Sequence, residues 1–200
     1  MITNTPNKVQ IMELSKRQKE IIEAAICLIA QNGIEGLTTK ALGAAVGISE
    51  PALYRHFANK AEIVRAMMAY FDADVENLKN TQRGWQFVKA FFAHRIEQVR
   101  TRPALANIIY SEELFIHNAE YAGLMKEMMH THREMLMENI VIASKTGLVR
   151  NDIAPEMIFR MLAGSLRLLI KQYGMSGNSF DLCAESTILF NTWDVLFTVK

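Results

Sequence analysis

Residues 38–60, TTKALGAAVGISEPALYRHFANK, gather side chains suited to one chemistry, the reading of a DNA duplex. Ser49, Glu50, Tyr54, Arg55 and His56 cluster around Pro51. At about 100° per residue, Leu53 and Phe57 share one helical face, while Arg55, Pro51 and Ala52 point the opposite way. Tyr54 and His56 lie on the flanks. An arginine so placed matches guanine O6 and N7, and a glutamate accepts from the cytosine amino group. The flanking groups suit phosphates.

Local signals supply the elements that must hold these groups. Thr38 is a helix N-cap, and Leu42 and Val46 follow four apart on one face. Gly47 stands where a left-handed residue ends a helix. Ser49 caps a second helix over 49–57, with Pro51 tolerated in its first turn. Asn59 caps a third, with Glu62 three residues on. Helix, glycine turn and short second helix form a helix-turn-helix, whose second helix enters the major groove.

Thr38, Thr39 and Leu42, then Gly47-Ile48-Ser49, then LYRHF at Leu53 to Phe57, then Asn59-Lys60 resemble the TetR family of bacterial transcriptional repressors. The likeness is dense over about residues 15–65 and weak beyond. It implies that Thr38, Thr39, Tyr54, His56 and Lys60 touch phosphates. It also implies that Glu50, Pro51, Ala52, Tyr54 and Arg55 face base edges. Lys40 and Ser49 complete the candidate DNA-binding set. Gly43 departs from the family's usual alanine, which predicts a closer approach or a helix weaker by up to about 1 kcal/mol. Ala44 and Ala45 replace polar or basic residues, which predicts fewer backbone contacts from that helix.

The chain's formal charge is only +1, and residues 1–60 carry seven Lys/Arg against five Asp/Glu. DNA affinity must therefore come from placed groups rather than bulk charge. Cys27 and Cys183 form no CxxC and no disulfide framework, which fits a reducing cytoplasm; both are expected to be buried and inert. The polar N-terminus carries no signal peptide, and no apolar run reaches the ~18 residues a membrane span needs. Phosphate loops, nucleophile elbows and HExxH are absent, and the five histidines lack metal-site spacing. Neither an enzyme nor a cofactor or metal site is expected.

Period and breakers predict an all-α chain. Residues 1–14 read as a flexible arm, and Lys8, Lys16, Arg17 and Lys19 could reach phosphates. A three-helix DNA-binding domain occupies 15–60, and a ligand-binding and dimerisation bundle occupies 61–200. Helices are expected over 15–31, 60–80, 84–100, 103–117, 119–145, 155–173 and 179–198. The last two are apolar on more than one face and so need partners on several sides. In the resembled family the last two helices build a homodimer. Leu162, Leu166, Leu169, Phe190, Trp193 and Phe197 are therefore the candidate dimer interface, and a twofold pair would read a palindromic operator.

The middle helices are rich in methionine and phenylalanine, where the resemblance implies an inducer pocket. Phe91, His94, Tyr110, Phe115, Met125, Met128 and His132 are the candidate ligand residues, with Asn139 as a further polar anchor. Two functions remain open. One is a repressor released from its operator by a small apolar ligand. The other is a DNA-dependent protein-interaction factor of nucleoid-occlusion type, without an inducer. The segment Arg102-Pro103-Ala104-Leu105 before an apolar helix fits the second, which predicts a packed core with no cavity.

Overall fold

The structure is a computed structural model that describes residues 14–108 and 118–199. It is all-α. Among the described residues, Val149 and Thr198 make an isolated antiparallel bridge, and no strand forms.

Helix α1 (Lys16–Asn32) starts at a capping box. The Ser15 hydroxyl accepts from the Gln18 N–H, and the Gln18 side chain reaches back to the Ser15 N–H. Its inner stripe, Ile21, Ile22, Ala25, Ile26 and Ile29, is buried. Helix α2 (Thr39–Val46) is capped by Thr38 and ends at Gly47 in the left-handed region, φ 69°. Helix α3 (Glu50–Leu53) is capped by Ser49. It is shorter than the expected 49–57. After one α turn, the Arg55 and His56 N–H groups bond to the Ala52 and Leu53 carbonyls, tightening the chain towards Phe57.

Asn59 caps helix α4 (Lys60–Asp72), and its side chain accepts from the Glu62 N–H. The expected helix over 60–80 is broken at Ala73–Asp74, and α5 (Val75–Thr81) follows. The break has a tertiary cause. Arg95 and Gln98 both donate to the Phe71 carbonyl at 2.7 Å, a group that a continuous helix would offer to residue 75.

Helix α6 (Trp85–Thr101) carries both donors. A 3₁₀ turn, Pro103–Asn107, occupies the start of the expected 103–117 helix, and residues 109–117 lie outside the described residues. Helix α7 (Ala119–Lys145) starts at the Asn118 cap. Helices α8 (Pro155–Met175) and α9 (Leu182–Phe197) complete the chain.

The larger core gathers where α6, α8 and α9 meet. Phe92 packs edge-on against Trp193, with ring centroids 5.3 Å apart. The Trp193 indole donates to the Ser165 hydroxyl at 3.1 Å, and the Trp85 indole donates to Asp194 at 2.7 Å. Ile158, Leu162, Leu166 and Ile170 form the fully buried stripe of α8. Four residues expected at a dimer surface are thus interior to the protomer: Leu162, Leu166, Trp193 and Phe197. Leu169 and Phe190 are half-buried against the same core. Both cysteines are exposed, contrary to expectation. Cys27 lies on α1 away from its buried isoleucines, and Cys183 stands in the first turn of α9.

Trp193→Ala should lower the unfolding free energy by about 3–5 kcal/mol, as expected for a large aromatic lost from a packed core. Urea denaturation followed by circular dichroism reads this directly. A change below about 1 kcal/mol would place Trp193 outside the core.

Candidate nucleic-acid interface and effector cavity

The α2–α3 unit is braced from behind. Arg17 donates to the Val46 carbonyl at 2.7 Å, and the Gln18 amide donates to the His56 carbonyl at 3.1 Å. Arg17, expected as a phosphate ligand, is therefore engaged at the C-terminal end of α2, where a cation is favoured. Lys8 lies outside the described residues. Leu42, Leu53 and Phe57 anchor the unit in the core. Gly43 allows a close approach: a Cβ there would lie 2.7 Å from the Ile48 carbonyl oxygen. Thr38, Lys40, Ser49, Glu50, Pro51, Tyr54 and Arg55 are exposed together, and Tyr54 keeps half of its surface in solvent. Thr39, Ala52 and His56 are partly buried at the margin. The Thr38 and Ser49 hydroxyls cap their helices. Lys60 turns inward, donating to the Ile34 carbonyl at 3.1 Å and lying 6.0 Å from the Tyr121 ring.

Two polar clusters tie this unit to the remaining helices. Arg102, Glu23 and Tyr70 join the end of α6 to α1 and α4: Arg102 donates to Glu23 at 2.6 Å and to the Tyr70 hydroxyl at 2.7 Å. The second cluster centres on Arg95, which is almost fully buried. Besides the Phe71 carbonyl, it donates to Gln98 at 2.8 Å and to Asp72 at 2.7 Å. His132 reaches the same Asp72 oxygen at 2.9 Å. Burial pushes the Asp72 carboxyl up, but His132 and Arg95 outweigh it and hold the pKa below the ordinary carboxylate range.

This cluster forms one wall of a cavity of about 320 Å³ between α4, α6, α7 and α8. The volume is at the lower end of the ~300–1,000 Å³ typical of small-molecule sites. Met67, Phe71, Phe91, Met125 and Met128 supply apolar walls. The structure thus brings together Phe91, Met125, Met128 and His132 from the candidate ligand set.

The family model for bacterial regulatory proteins of the tetR family matches residues 21–67, which span α1 to α4. Residues 21–67 are thus similar to the DNA-binding region of tetR-family regulators. It is 29% identical over 119 residues to the nucleoid occlusion factor SlmA of Haemophilus ducreyi, a match covering 56% of this chain and only 59% of that protein. It is 22% identical over 188 residues to a probable acrEF/envCD operon repressor of Escherichia coli, covering 88% of this chain and 84% of the relative. The transcriptional regulator FadR of Bacillus subtilis, solved with stearoyl-CoA, shares the fold. Its TM-score is 0.71 at 17% identity, over 88% of this chain and 96% of that one.

The remaining candidate ligand residues fall elsewhere. Tyr110 and Phe115 lie outside the described residues. Asn139 accepts from the Gly84 N–H at 2.8 Å and donates to the Met135 carbonyl, so it joins α7 to the start of α6. His94 does not line the cavity. Its Nε2 is buried without a hydrogen-bond partner. Burial, reinforced by the neighbouring Arg95 charge, holds its pKa below the ordinary histidine value. Sequence reasoning missed Arg95, Arg133, Arg160 and Arg167 at the cavity. The signal was present in the i, i+3, i+4, i+7 spacing of Arg160, Ala163, Gly164 and Arg167 on one helix.

The His94 environment sets a pH dependence. Near pH 6 the unfolded chain binds more protons than the native one, so this contribution to stability is complete above about pH 6.5 and falls as the pH drops. Urea denaturation at pH 7.5 and 5.5 should show a smaller acid loss in His94→Gln than in the parent chain. An unchanged loss would place the titrating group elsewhere.

Proposed function

We propose that this protein is a dimeric, sequence-specific DNA-binding repressor whose operator affinity is set by a small molecule held in the α4–α6–α7–α8 cavity. The observation that carries this reading is the shared wall. Phe71 and Asp72, at the end of the helix that leaves the DNA reader, are bonded to side chains that line the cavity. An occupant with different affinity for two arrangements of that junction necessarily changes DNA binding. The repressor role is supported by the likeness to the probable acrEF/envCD operon repressor, which covers 88% of this chain. A small-molecule effector is supported by the stearoyl-CoA complex of a protein with the same fold.

The likeness to a nucleoid occlusion factor supports a second reading, in which the DNA-bound protein acts through a protein partner. That reading expected a packed core. The cavity favours the effector-controlled repressor.

The dimer face on this reading differs from the residues expected from sequence. Met157, Met161 and Leu168 on α8, with Ile188 and Val195 on α9, leave large apolar side chains in solvent. An apolar face of this kind marks an interaction site. Val195→Glu should convert the dimer to folded monomer in analytical ultracentrifugation. A dimer that persists would move the interface off α9.

Selection of bound duplexes from a random DNA library, at near-physiological salt, tests the main reading. A palindrome should be enriched, and absence of enrichment would remove the repressor assignment. On that operator, Arg55→Ala should cost about 1–3 kcal/mol and relax preference at one base pair. Tyr54→Ala should weaken binding across sequences. Unchanged affinity in either variant would remove that residue from the interface.

A further inference from the structure

We infer that the cavity takes an uncharged aromatic molecule bearing one hydroxyl, a phenol, whose O–H donates to Nδ1 of His132. The inference rests on reading this cavity as the effector site and goes further by naming the ligand's chemistry and the residue that reads it.

Asp72 decides which hydrogen bond His132 can still make. An ionised carboxylate only accepts, so Nε2 of His132, 2.9 Å from the Asp72 Oδ1, must carry a proton. Arg95 donates to that same oxygen at 2.7 Å. Its 3.2 Å approach to Nε2 is therefore that of two donors converging on one acceptor. With the single proton of the neutral ring held on Nε2, Nδ1 is left as an acceptor. His132 lines the cavity and Asp72 does not. The ring edge turned away from Asp72 is the one that carries Nδ1. No hydrogen bond among the described residues uses that atom, and the His132 side chain remains 15% accessible. A ligand that buries this edge must supply a donor or leave a polar atom unpaired.

The rest of the inner wall selects the body of the ligand. Among the described lining residues there is no hydroxyl, amide or carboxylate side chain. Arg95 is committed to the Phe71 carbonyl, Gln98 and Asp72. Met67, Met68, Met125 and Met128 share the lining with Phe71 and Phe91. A thioether sulfur gains from contact with an aromatic ring, and aromatic rings gain from edge-to-face contact with each other. Phe91 already stands edge-on to the His132 ring, with centroids 5.2 Å apart. A flat ring among these groups gains on both counts, and an aliphatic body on neither. A phenol is uncharged near neutral pH, so no ionised group has to leave water. An ammonium would meet the Arg95 cation. A carboxylate would set its lone pairs against that of Nδ1.

Calorimetric titration of the full chain near neutral pH with 2-naphthol, 2-methoxynaphthalene, 2-naphthoate and trans-2-decalol tests this. 2-Naphthol should bind at least about fivefold more tightly than its methyl ether, which brings the same ring system but leaves Nδ1 unpaired. It should exceed the naphthoate and the decalol by at least about threefold. His132→Gln keeps a donor for Asp72 but has no acceptor where Nδ1 stood. In that variant the advantage of naphthol over the ether should fall below about twofold. The titrations of the parent chain decide the matter even if the variant fails to fold. A long-range proton–nitrogen NMR spectrum of the parent chain should place the His132 proton on Nε2 alone. A proton on Nδ1 would overturn the inference. So would equal binding of naphthol and its ether, binding of naphthoate or decalol as tight as that of naphthol, or no binding at all. Operator selection without any ligand is read separately. A chain that selects a palindrome but binds none of these probes refutes only the ligand assignment, and one that binds naphthol as expected but selects no DNA refutes only the repressor reading.

Discussion

A single buried cation organises the junction between the two halves of this molecule. Arg95 is removed from water and must be compensated by partners within reach. It finds them in the Phe71 carbonyl, Gln98 and Asp72, and Asp72 in turn engages His132. That requirement ends α4, turns the chain into α5, and holds α4, α6 and α7 in one register. It also builds one wall of the cavity. Loss of one partner would leave a buried charge exposed to the penalty of incomplete pairing, so the junction has few intermediate arrangements. This is the property a switch needs.

The reader is held by a different set of contacts, and the division is functional. Its outward side chains include Tyr54 and Arg55, while its backbone is tied down by Arg17, Gln18 and the core residues Leu42, Leu53 and Phe57. Side chains that meet a ligand remain free only because other groups carry the burden of position. The Arg102–Glu23–Tyr70 cluster then makes α1, and with it the reader, follow α4 and α6.

Helix α8 serves three environments with three faces. Ile158, Leu162, Leu166 and Ile170 fill the protomer core, Met157, Met161 and Leu168 face outward, and Arg160, Ala163, Gly164 and Arg167 line the cavity. In sequence this appears as a helix apolar nearly all round. Hydrophobicity identifies that such a helix has several partners but not which face meets which. For that reason Leu162 and Leu166 pointed to a dimer contact although they are buried inside one protomer.

The sequence by itself determined the all-α class, the caps at Thr38, Ser49 and Asn59, the glycine turn at Gly47, and the inward face of Leu53 and Phe57. These depend on interactions within a few residues of one another, and local spacing encodes them. The boundaries of α7 were likewise legible, because Asn118 and Gly147 interrupt the helical period on either side of it. Tertiary structure decided what depends on distant partners. It broke the helix expected over 60–80, because the competing donors come from residues 95 and 98. It turned Lys60 onto Ile34 and gave Asn139 to Gly84. It also collected four arginines around one apolar cavity, since only packing α6, α7 and α8 together reveals which charged groups share a space.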